Sequence, residues 1–282
     1  MKQTNKKTGL KRDTIDKFYT SPAVAKECIQ KFSEYISIDC NEDLIIEPSA
    51  GNGSFILEIT KLCQNALFYD IEPEHASIQK ADYLLLDFKP LLRKIHVIGN
   101  PPFGRQSSLA IQFIKKSAII ADSISFILPK SFKKDSMQSH FPPNFHLVFQ
   151  SDLDANSFLQ DGKPIDVPCV FQIWQKCEEE RPLVAKLEAN PDVFQFVKQC
   201  ENPDISFRRV GVNAGAITIA TAENQWLKDK SVQSHYFIQF GPTINKKEFI
   251  DKMRKIQYLH DNTVGPKSIG KQEIIREINK IF

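Results

Sequence analysis

The 282-residue chain contains no run approaching the roughly 18 consecutive apolar residues needed to span a bilayer. Residues 1–17 are polar and basic and lack the apolar core of a signal peptide, so an intracellular location, cytoplasmic or nuclear rather than secreted, is expected. The six cysteines (Cys28, Cys40, Cys63, Cys169, Cys177 and Cys200) include no CxxC pair and no framework spacing. A chain of this size needs no disulfide staples, so reduced thiols are the simpler reading. His140 and His146 have no Cys or His at metal-ligand spacing, so no metal site is expected. No GxxxxGK[ST] loop exists, which argues against ATP-driven work. Internal repeats and low-complexity tracts are absent. With 41% hydrophobic and 25% charged residues, collagen, coiled coil and wholesale disorder are set aside.

Net charge is only +3, but it is unevenly spread. Residues 1–12 hold five Lys/Arg and no acid, a basic N-terminal arm (residues 1–17). Residues 178–206 carry three basic against seven acidic side chains, and residues 207–282 carry thirteen against seven. An acidic connector followed by a basic C-terminal region fits a polyanion-binding module, with two solvated helix faces as the alternative.

Residues 18–177 alternate strand-like and helix-like segments, the pattern of a mostly parallel sheet with helices on both faces. Pro22 opens a helix, Leu44–Ile46 forms a buried strand, and Ser54–Leu62 reads as a helix. Strands follow at Ala66–Tyr69, Ile95–Ile98 and Ile124–Leu128, with a helix over Ser108–Ala121. Two late strands, His146–Gln150 and Cys169–Gln175, are joined by a polar loop, Ser151–Pro168. Beyond Glu178 the pattern becomes irregular and implies a smaller α+β region.

Two segments carry chemistry. In Glu47-Pro48-Ser49-Ala50-Gly51-Asn52-Gly53, a strand delivers an acid at its carboxyl end and two glycines cross into a helix. In doubly wound sheets this is where a nucleoside cofactor approaches the backbone. Asp70 ends the next strand, 23 residues after Glu47, where an acid commonly accepts from ribose hydroxyls. No third glycine follows, which argues against a dinucleotide. The second segment is Asn100-Pro101-Pro102-Phe103, directly after a strand. Two prolines remove two donors, and Asn100 adds a side-chain acceptor, a set suited to a planar –NH2 group. Phe103 offers an aromatic face for a base.

Taken in order, Phe18-Tyr19-Thr20-Ser21-Pro22, Glu47 to Phe55, Tyr69 to Pro73, Ala81-Asp82-Tyr83 and Asn100 to Phe103 resemble the S-adenosylmethionine-dependent adenine-N6 nucleic-acid methyltransferases of the Asn-Pro-Pro-Phe type. The resemblance covers about residues 15–177 and implies a Rossmann-like methyltransferase sheet with a smaller C-terminal α+β region. It matches Tyr19 and Thr20 to the methionine end of S-adenosylmethionine, and Glu47, Ser49, Gly51 and Gly53 to the cofactor loop. Asp70 matches the ribose acid, Asp82 the acceptor of the cofactor's adenine amine, and Tyr83 a ring packing on it. Asp82 as a plain cap and Tyr83 as a core aromatic are the alternatives. Phe158 matches a base-stacking aromatic, with a buried loop phenylalanine as the alternative.

The implied activity is methyl transfer to the exocyclic amine of adenine, with Asn100, Pro101, Pro102 and Phe103 as catalytic residues and no metal. Nucleic acid is the expected partner, DNA before RNA, with residues 207–282 as target-recognition region through Arg208, Arg209, Lys246, Lys247, Arg254 and Lys255. Adenine or guanine in RNA, glutamine on a protein, and an inactive scaffold are the other readings.

Overall fold

A strand that is apolar at successive positions needs both faces covered, and Leu44-Ile45-Ile46 is such a strand: Ile45 enters one core and its two neighbours another. It lies inside a seven-stranded sheet in a computed structural model that describes residues 18–88, 93–182, 184–220, 230–258 and 267–281. The basic arm expected at residues 1–17 lies outside the described residues.

The chain divides after Pro182 into two units. The first contains, in order, β1 (Tyr19–Thr20), α1 (Pro22–Tyr35), β2 (Leu44–Glu47), α2 (Ile56–Leu62), β3 (Ala66–Asp70), β4 (Gln79–Lys80), β5 (Ile95–Gly99), α3 (Ser108–Ile120), β6 (Ser123–Pro129), α4 (Asp135–Gln138), β7 (Phe145–Asp152), β8 (Phe158–Gln160), β9 (Lys163–Ile165) and β10 (Cys169–Lys176). Pro22 sits at the first turn of α1, and Ser21 caps it by accepting from Val24 N at 3.4 Å.

The large sheet has the order β4-β3-β2-β5-β6-β10-β7. Strands β2 to β6 are parallel, and β10 runs antiparallel between β6 and β7. On one face α1 and α2 pack Ala25, Ile29, Phe32 and Ile59 onto Ile45, Phe68 and Ile98. On the other, α3 packs Ala110, Phe113 and Ile114 onto Ile46, Val97 and Ile124. This is a doubly wound, mostly parallel Rossmann-like sheet. From β2 the order steps one way to β3, and from β5 the other way to β6, so the direction switches between β2 and β5. Ligands in open α/β sheets bind outside the carboxyl ends of strands at such a point.

Two local expectations are corrected. Residues 51–55 turn before the helix, which begins at Ile56 rather than Ser54. The segment Ser151–Pro168 is not a plain loop, because it folds into the β8–β9 hairpin, turned at Asp161 (φ 50°) and Gly162 (φ 74°). Positive φ at both central residues is what a type I′ two-residue hairpin turn requires, and Asp-Gly supplies it. β8 then pairs with β1, placing Phe158 opposite Thr20.

The second unit contains β11 (Phe194–Val197), β12 (Ile205–Arg208), β13 (Ile217–Ile219), β14 (His235–Phe240), α5 (Lys246–Lys255) and α6 (Lys271–Ile278). Its four strands form an antiparallel sheet in the order β11-β14-β12-β13. Residues 178–206, expected as a connector, supply β11 and the start of β12. Most of their acids face water, while Phe194, Ile205 and Phe207 alternate into a core shared with Ile238, Phe249, Ile274 and Ile278. Among the described residues no helix is long and apolar enough to cross a membrane.

Candidate functional site

The turn after β2 is built by backbone bonds to β3. Ala50 N donates to Tyr69 O at 2.9 Å, and Gly51 N donates to Asp70 Oδ2 at 2.8 Å. Asp70 Oδ1 accepts from Glu72 N at 2.8 Å, so this carboxylate is fixed by two amides at the carboxyl end of its strand. Gly51 has φ +53°, and a Cβ there would stand 3.0 Å from the Tyr19 ring. The missing side chain thus keeps an open cradle between loop and ring. Tyr19 donates its hydroxyl to Glu74.

The loop after β5 meets the same place. Ser49 Oγ donates to the Asn100 carbonyl oxygen at 3.1 Å, and Asn100 Nδ2 donates to Phe18 O at 3.1 Å. Of the two ends of a carboxamide only the –NH2 donates, so this second bond fixes its orientation. Its Oδ1 is buried without a hydrogen-bond partner. Past Phe103 the backbone runs left-handed at Gly104 (φ 69°), Gln106 (φ 54°) and Ser107 (φ 61°) before α3 begins. Non-glycine residues held there store strain, a property concentrated at functional sites.

These loops enclose a cavity of about 230 Å³. Tyr19, Ser49, Gly51, Asp70, Asp82 and Tyr83 line it, together with Asn100, Pro101, Pro102 and Phe103. Asp82 also accepts from Leu84 N at 3.0 Å, so it caps a short turn as well as facing the cavity. Tyr83 is both wall and core: it is buried, bonds Ser117 at 3.0 Å, and stacks on Phe113 at 5.7 Å. Burial raises its phenol pKa.

Four expected residues do not line the cavity. Gly53 (φ +84°) serves the turn into α2, where a Cβ would come 2.8 Å from Ile56. Thr20 is buried with an unpartnered Oγ1. Glu47 is 2% exposed, and its Oε2 meets no partner. Burial, with Asp70 adding to it, raises the Glu47 pKa to about 8. Phe158 is corrected outright: it is fully buried in the core with Ile98, Ile127 and Phe171, so it offers no face to a base. Pairing of β8 with β1 turns that side chain inward.

Sequence reasoning missed Phe18, Ile71, Leu84, Leu109 and Phe113 as cavity residues. Leu109 and Phe113 stand four apart on the first turns of α3, and that spacing was the available signal. Among the described residues no group of three His, Cys, Asp or Glu gathers as a metal site.

No family model matches the chain. No curated protein matches it. Among solved structures, the chain is similar to a Pyrococcus horikoshii protein described as an RNA methyltransferase, at 14% identity and TM-score 0.44, covering 58% of this chain and 88% of that one. It is also similar to the type I restriction-modification methyltransferase subunit from Streptococcus thermophilus, at 15% identity and TM-score 0.44. That match covers 58% of this chain and spans about half, 46%, of the subunit. A third similarity is to the N-methyltransferase NodS from Bradyrhizobium japonicum in complex with S-adenosyl-L-homocysteine, at 10% identity and TM-score 0.41, covering 58% and 91%.

Proposed function

We propose that this chain transfers a methyl group from S-adenosylmethionine to the exocyclic amine of a nucleic-acid base, adenine N6 favoured and DNA favoured over RNA. The observation that carries the reading is the unpartnered Asn100 Oδ1 at the switch point of the sheet. Leaving a buried acceptor unmatched costs about 1–3 kcal/mol, and a planar amine placed there supplies the missing hydrogen.

The surroundings fit the cofactor. The Gly51 cradle beside Tyr19 leaves room for its amino-acid end. Asp70, held by two amides, is set to accept from ribose hydroxyls, and Asp82 from the adenine amine. Tyr83, Leu84 and Phe113 give an apolar wall for the ring. When bound, S-adenosylmethionine supplies an electrophilic methyl on a sulfonium.

The chain's own residues supply position. Asn100 Oδ1 and the Pro101 carbonyl accept the two amine hydrogens, which turns the nitrogen lone pair outward and stabilises positive charge developing on nitrogen. Phe103 stacks on the base. Asn100 is neutral and takes no proton; the N–C bond would form as the methyl–sulfur bond breaks, with S-adenosylhomocysteine leaving as a neutral thioether and the amine proton passing to solvent. A base within a duplex must first be extruded to reach the site. Nucleic acid is favoured over a protein amide by the thirteen basic against seven acidic residues of 207–282. The first unit carries catalysis in this reading, the second target contact, inside the cell.

The test uses purified protein, labelled S-adenosylmethionine, and separate pools of duplex DNA, single-stranded DNA and RNA, digested to nucleosides. N6-methyladenine in DNA supports the reading as stated, and label only in RNA moves the substrate. No label in any pool overturns it in favour of a protein amide or a scaffold. Asn100→Ala is expected to lower turnover by about 10²–10³-fold while calorimetry shows cofactor binding retained. Unchanged turnover in a folded variant would sink the role of Asn100.

A further inference from the structure

We propose that Phe196, Arg209, Tyr236 and Lys271 form a subsite for one nucleotide of a single-stranded polynucleotide, the base on the aromatic pair and its phosphate on the two cations. This rests on the nucleic-acid reading above and gives the second unit a specific point of contact.

The four side chains come from four places in the chain and converge. Phe196 on β11 and Tyr236 on β14 meet edge to face, with centroids 5.5 Å apart. The Arg209 guanidinium carbon, one residue past β12, lies 5.0 Å from the Tyr236 ring centre. Lys271 Nζ, at the first position of α6, lies 4.7 Å from Phe196 and 5.7 Å from Tyr236.

Charge balance separates this cluster from the paired cations of the basic unit. On α5, Lys246 pairs with Asp204, Lys252 with Glu248 and Arg254 with Asp251. Arg208 spends its Nε on Val210 O at 3.2 Å. Among the described residues, neither Arg209 nor Lys271 makes an ion pair. Arg209 Nε is moreover buried with no hydrogen-bond partner. The carboxylate facing the cluster is Glu273, and its Oε2 is engaged by Gly270 N at 2.7 Å. A buried, unused N–H on a cation calls for an anionic oxygen.

The rings decide which anion. Cations alone would take any phosphate or carboxylate, but two aromatic rings beside two cations supply aromatic surface and a phosphate contact at once. Stacking needs a base free of its own stack, hence a single strand or an extruded segment.

The full chain is titrated with short fluorescent oligo(dA) and oligo(A) by anisotropy across 50–200 mM salt. Arg209→Gln and Lys271→Gln are each expected to weaken binding about fivefold or more and to lower the salt slope by about 1. Tyr236→Ala is expected to weaken it about 5- to 100-fold, matched by an abasic oligonucleotide on the parent protein. Tyr236→Leu replaces it if circular dichroism shows the alanine variant unfolded. Lys31→Gln, a surface change on α1, is expected to bind as the parent. The tighter of the two oligonucleotides names the sugar, and either supports the subsite. Parent-like binding by all cluster variants, an abasic strand that binds equally well, or equal displacement by poly-glutamate would overturn it. If the parent methylates nucleic acid while the cluster variants keep its KM, the subsite falls alone. If no pool is methylated although the cluster variants lose oligonucleotide binding, the catalytic reading falls and the subsite stands.

Discussion

A carboxyl group buried with an unpartnered oxygen prefers its neutral form, and Glu47 is in that position beside the cavity. Its folded pKa of about 8 lies above its ordinary 4.5. Between those values the unfolded chain has released this proton and the folded chain has not. The contribution of Glu47 to stability is therefore full below pH 4.5 and is lost as pH rises through 8. His96, held neutral by burial while bonded to Ser123 and facing Asp43, works the other way, losing stability as pH falls. Comparison with Glu47→Gln isolates the first effect. Urea unfolding is expected to show the variant gaining on the parent by about 1.4 kcal/mol per pH unit within that window. A constant difference from pH 5 to 8 would refute it. Gly51→Ala forces a side chain against the Tyr19 ring at positive φ. It is expected to weaken cofactor binding about tenfold or more, with a stability change near 1 kcal/mol, read by calorimetry.

At the scale of elements, the β8–β9 hairpin is a brace rather than part of the reacting surface. It holds β1, and β1 brings Tyr19 to the cavity. Phe158→Ala removes a fully buried ring and is expected to cost about 3–5 kcal/mol of stability. At saturating cofactor its turnover is expected to stay near that of the parent, whereas a base-stacking role would lower it. The Asp161-Gly162 pair was a readable turn signal, and its positive φ angles agree with it. The destination of Phe158 was not readable, because a phenylalanine looks the same whether it packs on a base or on Ile98. Gly51, Asp70 and Asn100 were legible as cavity residues for a different reason. Each stands at a strand end or in the turn after one, where glycine, proline or an acid breaks an apolar run.

For the whole molecule, the alternation of strands and helices made the doubly wound sheet legible. The insertion of β10 between β6 and β7 was not, since strand order depends on partners far apart in sequence. The second unit was obscured by composition: the acid-rich stretch 178–206 drew attention away from Phe194 and Ile205, which are buried within it. Because each unit has its own core, calorimetry is expected to resolve two unfolding transitions. Cofactor is expected to raise the first unit's midpoint alone; a shift of both together would count against this.

The place of β10 also bears on how the protein is made. Among the described residues β7 pairs with no strand other than β10 in the sheet, and β10 is made after it. A ribosome adding about 5–20 residues per second needs several seconds to go from β5 to the end of β10. During that interval the nascent chain already carries the Asn-Pro-Pro-Phe loop, yet the edge of β6 has no neighbour. The site-bearing half of the sheet is thus exposed to wrong partners until nearly the whole first unit has emerged. A ribosome stalled just short of Cys169 would leave a chain that holds every lining residue of the cavity and still has an open edge strand for a chaperone to cover.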